Sequence, residues 1–142
     1  MILLLVHAAA TWFMTGLVWF VQVVHYPLFA GVGAAEFARY AQSHSQRTTW
    51  VVMPVMLIEL AATVALLLTP PAARAVVPVW MTWAGAGLLA IVWLSTFFLQ
   101  VPRHEELAAG FQVAAHSRLV ATNWIRTAAW TGRGILSLLM LK

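Results

Sequence analysis

An ionisable side chain in the middle of an apolar run is costly unless something pairs with it, so such residues mark where chemistry is expected. Glu59 lies near the centre of a long apolar stretch, about ten residues from either end. A carboxylate there needs a proton or a cation. Arg126, in the last apolar stretch, is its partner by depth, and Arg133, further along, has the reach to snorkel to the opposite surface. Two readings stand side by side. A Glu59–Arg126 pair ties helices together, or Glu59 handles protons or touches a substrate.

Histidine gives the second signal. At 100° per residue, His116, Asn123, Thr127 and Trp130 fall on one helical stripe, flanked by Arg126. His44, Thr48, Val55 and Glu59 line one side of another helix in the same way. Gln22 and His25 end the first apolar run, and Gln100, Arg103 and His104 end the third. Four of the five histidines, His25, His44, His104 and His116, therefore gather at one end of the molecule, and His7 stands alone near the other. Neutral imidazole ligates haem iron or a transition metal and shuttles protons near neutral pH. His44 and His116 are the candidate metal ligands. No HExxH, no CxxCH and no pair of histidines one turn apart is present. Acid/base work in a metal-free pocket and plain hydrogen bonding among arginines and loop carbonyls both remain open. His44-Ser45-Gln46-Arg47 and His116-Ser117-Arg118 also set cations at helix amino termini, the unfavourable end of the dipole, which suits anionic headgroups or an anionic ligand.

Composition says what must hold these groups. Of 142 residues, 63% are hydrophobic and 8% charged, against roughly 25% charged in a soluble domain. Eight Lys and Arg with four Asp and Glu cannot coat a globule of this size, so the solvent is lipid. The net charge of +4 is spread along the chain and leaves no nucleic-acid footprint. With no cysteine there is neither a disulfide framework nor thiolate chemistry. The expected architecture is an all-α bundle of four transmembrane helices in one domain, 1–142, at about 2–24, 49–68, 76–101 and 117–141. Each approaches or exceeds the ~20 residues that cross about 30 Å of hydrocarbon. The amino-terminal run has no basic flank and no small-residue cleavage site, and is expected to be a retained helix.

Proline sets the expected stops, at His25-Tyr26-Pro27, Thr69-Pro70-Pro71 and Val101-Pro102, because the residue before proline is pushed from helical dihedrals. A tight turn at 70–75 makes helices two and three antiparallel neighbours. Loop one, 25–48, carries an amphipathic segment with Phe29, Val32, Phe37 and Tyr40 among Glu36, Arg39 and Gln42. Arg39, Arg47, Arg103 and Arg118 on the side of the long loops, against Arg74 and Lys142 opposite, place those loops in the cytoplasm and both termini outside. Trp12, Trp50 and Trp80 suit an interfacial belt. Trp93, Trp124 and Trp130 lie deeper, as helix packing or as the wall of a cavity for a flat ligand. Gly16, Gly85, Gly87, Gly132 and Gly134 permit close helix contacts, including those of a homodimer or a partner membrane subunit.

The stretches His25-Tyr26-Pro27-Leu28-Phe29, His44-Ser45-Gln46-Arg47, Pro54 to Glu59 and Thr122-Asn123-Trp124-Ile125-Arg126-Thr127 resemble the marks of a family of small uncharacterised bacterial four-helix membrane proteins. That resemblance implies a multi-pass protein of the bacterial inner membrane. The region from Pro102 to Arg133 is similar to the anthrone-oxygenase-like membrane family, some of whose members are linked to cofactor-free oxidation of polyketide anthrones. The layout is also similar to the bacterial four-helix protoporphyrinogen oxidase, which contains haem. That family's early histidine would match His7, and its helix-four lysine has no counterpart here. The expectation is an oxidoreductase or oxygenase acting on a flat lipid-soluble quinone, porphyrin or polycyclic phenol, with haem b as one cofactor. His44, Glu59, His116, Asn123 and Arg126 are its candidate catalytic residues. His25, His44, His104, His116 and Trp124 are the candidates for holding a cofactor. In that scheme Arg126 clamps an anionic oxygen. A non-enzymatic accessory subunit or a small proton-coupled transporter is the other expectation.

Overall fold

The computed structural model describes residues 1–70 and 77–142. The turn expected at 71–75, with Arg74, and the expected start of helix three at Val76 lie outside the described residues. The rest is all-α, with four long helices: α1 over Ile2–Gly31, α2 over Ala34–Leu68, α3 over Val79–Ala108 and α4 over Val113–Leu139. Packing of α4 along α1 and α3, of α1 along α2, and of α2 along α3 closes a four-helix bundle. The α2–α3 seam is the weakest.

Two of the expected stops are overturned. α1 runs through Pro27 and α3 runs through Pro102, each by way of one π-helical turn, at Val21–His25 and Thr96–Gln100. There the Tyr26 N–H donates to the Val21 carbonyl and the Val101 N–H to Thr96, five residues back in both cases. Proline lacks an N–H and its ring crowds the carbonyl four residues earlier. Widening the preceding turn by one residue moves that carbonyl aside and keeps the helix continuous. Loop one is also corrected. α2 begins at Ala34 rather than Thr49, because 34–53 holds neither proline nor glycine and is rich in Ala, Gln and Arg. The amphipathic segment from Phe37 to Gln42 is its first turns. α4 likewise starts at Val113 rather than Ser117.

Three helices, α1, α2 and α3, are long and apolar enough to cross a membrane. α4 has 27 residues and turns its polar ones inward, with Asn123, Arg126, Thr127 and Arg133 all buried. Large apolar side chains point outward instead, among them Phe13, Phe20, Leu57, Trp83, Phe98 and Ile135. In lipid that outward face costs nothing, while backbone polar groups stay paired inside each helix. Close approach matters most at Gly134, where a Cβ would stand 3.3 Å from the Trp12 ring. Two apolar layers form inside. Tyr26, Phe29, Phe37, Leu107 and Leu119 fill the end near the α1–α2 connection, and Met14, Val18, Met56, Val92 and Trp130 fill the middle. The polar groups lie between and beyond these layers.

Candidate functional site

The first polar group ties all four helices together. Glu59 is wholly buried, and its Oε2 accepts from Trp130 Nε1 at 2.9 Å. Its Oε1 lies 3.5 Å from Arg133 Nε. The Arg133 guanidinium also donates to the Gly85 carbonyl, to Thr63 Oγ1 at 3.2 Å and to His7 Nε2 at 3.3 Å. The expected Glu59–Arg126 pair is therefore replaced by Glu59–Arg133. Arg133 does not snorkel, since it is 1% exposed, and His7 is not alone. One ion pair in a dry interior is tolerated because its remaining donors find carbonyl, hydroxyl and imidazole partners.

The second group sits between the two apolar layers. Gln22 donates to the Val120 carbonyl at 3.1 Å and accepts from Asn123 Nδ2 at 2.9 Å, joining α1 to α4. Gln100 Nε2 donates to Thr122 Oγ1 at 2.9 Å, joining α3 to α4. Asn123 is thus a tie between helices and does not line the cavity described next.

That cavity, about 440 Å³, lies along the α2–α3 seam. Val52, Met53, Met56, Phe97 and Val101 supply its apolar wall, while Tyr26, His44, Thr48, Gln100, His104 and Arg126 supply its polar end. The π-helical turns explain the convergence. Each rotates the residues after it relative to those before, so Tyr26 of α1 and His104 of α3 face the same space just beyond their bulges. The Tyr26 hydroxyl and His104 Nε2 are 2.9 Å apart, and His25 Nε2 and His44 Nδ1 are also 2.9 Å apart. Thr48 Oγ1 meets His44 Nδ1 at 3.2 Å. The His44 and His104 rings lie 5.4 Å apart, centre to centre. Two imidazoles, one phenol and one guanidinium thus form the polar end beside an apolar wall, with His25 backing His44.

His116 stands apart from this set. Its Nε2 is 2.8 Å from the Tyr26 carbonyl, an acceptor near the end of α1, and its ring stacks on Phe29. Phe29 also meets His44 edge-on at 5.0 Å, so the two candidate metal ligands lie on either side of a phenyl ring. Among the described residues no three His, Asp or Glu side chains are grouped to hold a metal ion. Haem fits this end poorly as well. The His44 and His104 rings are too close for a porphyrin with iron bonds to both on its two faces, and His104 Nε2 is hydrogen-bonded to Tyr26. Trp124 is 48% exposed on the outer face, edge-on to Trp19, and reaches no cavity.

Of the candidate residues, the structure brings His25, His44, His104 and Arg126 together and sets Glu59, His116, Asn123 and Trp124 elsewhere. Sequence reasoning passed over Tyr26, the hub of the site, which offers its hydroxyl to His104 and its carbonyl to His116. Its signal was a tyrosine one turn beyond Gln22 on an otherwise apolar helix. Met53, Met56 and Phe97 gave none, because an apolar residue lining a cavity looks like any other apolar residue. No family model, no curated protein and no solved structure matches the chain. On its own fold, the chain is a compact, largely apolar four-helix bundle of the small integral-membrane kind, carrying an amphipathic cavity along one seam.

Proposed function

We propose that this protein is a membrane-embedded oxygenase that acts on a flat, lipid-soluble phenol or anthrone taken from the bilayer. One observation carries the reading: an apolar cavity on the α2–α3 seam ends in His44, His104 and Tyr26, with Tyr26 hydrogen-bonded to His104 and His25 hydrogen-bonded to His44 from outside the cavity. A pocket with apolar walls and a few convergent polar groups is the usual form of a small-molecule site. The polar set here is an acid/base set, since each member gives or takes a proton and none is tied to a carboxylate. A substrate ring lies against Met53, Met56 and Phe97, with its oxygens toward His44 and His104. An imidazole removes a proton from the methylene that lies across the central ring from the carbonyl, leaving an electron-rich aromatic oxyanion. Dioxygen takes up those electrons and bonds to the same carbon. Loss of water then converts the CH₂ and O₂ into C=O and H₂O.

The test is to supply anthrone to detergent-purified protein under air and follow anthraquinone formation and oxygen uptake. Wild type is expected to exceed the buffer rate, with His104→Ala losing about 10²–10⁴-fold of that excess. A wild-type rate equal to buffer, across anthrone and simple quinols, removes the reading. A non-enzymatic subunit is the second reading. It is favoured by how many polar groups, Glu59, Arg133, Gln22 and Asn123, are consumed in tying helices together.

A further inference from the structure

Charge accounting singles out Arg126. The sequence has four acidic residues. Glu36 is paired with Arg39, Glu106 with Arg103, and Glu59 with Arg133. Glu105, the fourth, is exposed near the mouth of the cavity and lies in no ion pair with Arg126 among the described residues. Arg126 is nonetheless 8% exposed, lines the cavity and leaves its Nε without a hydrogen-bond partner. Its neighbours are neutral: the Tyr26 hydroxyl, and the face of the Trp130 ring at 5.1 Å. A cation–π contact recovers far less than the cost of holding a lone charge away from water.

Gln100 adds an independent sign of something missing. Thr122 Oγ1 gives its one proton to the Arg118 carbonyl at 2.7 Å, so it can only accept from Gln100. The Gln100 amide is thereby oriented with Nε2 toward Thr122, and its Oε1, on a residue that lines the cavity, has no partner. A buried cation without an anion and a buried acceptor without a donor share one pocket.

We infer that the cavity binds its ligand as an anion, a lipid-soluble molecule with one negatively charged oxygen group held by Arg126 and an apolar body against Met53, Met56 and Phe97. This deepens the proposed function, since it fixes the substrate class at the same site, and it rests on that site being a ligand pocket. Charge is the selecting feature. Neutral molecules of the same shape leave the guanidinium unpaired, whereas an anion satisfies it and makes the complex electrically neutral within the membrane. A carboxylated aromatic enters the pocket in this charge state, and the anion that an imidazole forms there from an anthrone reaches it after the proton is lost.

The probes are 1-pyrenebutyrate and the neutral 1-pyrenebutanol, which share a flat ring system and differ at the head. Equilibrium dialysis is run at matched detergent concentration, with protein-free micelles as the blank. Wild type is expected to bind pyrenebutyrate at least about tenfold more tightly than pyrenebutanol, a difference of about 1.4 kcal/mol. Arg126→Gln is expected to erase that preference while pyrenebutanol binding stays, which also shows the pocket is intact. Trp124→Phe, on the outer face away from the pocket, is expected to keep the preference. Equal wild-type affinity for the two probes overturns the inference, and so does a preference that survives in Arg126→Gln. If Arg126→Gln fails to fold, the wild-type probe ratio still decides. Charge preference without anthrone turnover refutes the oxygenase alone, while turnover without charge preference refutes the anion site alone.

Discussion

Two tryptophans of α4 meet opposite surroundings, and that contrast tests the residue-level account. Trp130 is fully buried and gives its indole N–H to Glu59, whereas Trp124 faces outward beside Trp19. Trp130→Phe leaves a buried carboxylate oxygen without its donor, which is expected to cost about 1–3 kcal/mol. Trp124→Phe removes no buried partner and is expected to stay within about 0.5 kcal/mol of wild type. Thermal unfolding of both variants in one detergent checks the pair, and equal losses contradict the assignment. The same scale shows why depth alone misassigned the partner of Glu59. Side chains on a helix lean back toward its amino terminus, and α2 and α4 run in the same direction. Arg133 reaches back past a turn to meet Glu59, while Arg126, with the same reach, goes back to Tyr26 and the cavity. Residue type made both arginines conspicuous in the sequence. Their pairing depended on reach, which spacing does not encode.

At the scale of elements, proline carried a message that was half legible. Pro27 and Pro102 each mark a real change in α1 and α3, and the change is a wider turn rather than an end. Nothing local separates the two outcomes, because the alternative to ending a helix is set by whether packing beyond the proline is worth keeping. Here it is: Tyr26, Phe29, Leu107 and the first turns of α2 form a packed layer past both prolines. The structural coupling of bulge and proline is testable. Deleting Val24, which is exposed to lipid, removes the extra residue of the first π-helical turn and returns Pro27 to a regular helix. That deletion alone is expected to cost at least about 3 kcal/mol, the usual penalty for proline in a helix interior. Combining it with Pro27→Ala is expected to recover the proline's share of the loss, the rest coming from the turning of Tyr26 and Phe29 out of their layer, read by thermal unfolding in detergent. A deletion that costs the same with and without Pro27→Ala breaks the link between the two features. The inward stripe of α4, by contrast, was plain from periodicity, since Asn123, Thr127 and Trp130 are all buried as their spacing requires.

For the molecule as a whole, membrane residence was legible from composition, and the position of the site was not. The seam that opens is the one between α2 and α3, the helices that sequence made the closest neighbours through a tight turn. A turn constrains only one end of a helix pair. At the far end Gln42 of α2 donates to the Ala108 carbonyl of α3 at 3.2 Å and Phe37 packs in one layer with Leu107, while the remaining polar ties run to α1 and α4, so the space between the two helices stays unfilled along their middle. Under the proposed function, an apolar ligand is expected to arrive through this gap from the bilayer. The chain has no cysteine, so a cross-link can be placed across the gap without removing one. Thr49 and Val101 are both exposed and both line the cavity, one from each helix. In a Thr49→Cys/Val101→Cys variant joined by a short bis-maleimide, pyrenebutanol uptake from liposomes is expected to fall at least about tenfold, a barrier change of about 1.4 kcal/mol. The unlinked double variant is expected to take up the probe as wild type does, and thermal unfolding of the linked protein shows that the bundle persists. Uptake that ignores the cross-link shows that ligands do not enter between these two helices. The polar end would then have to be reached from the aqueous side past Glu105 and Gln42, where the cavity meets the membrane surface.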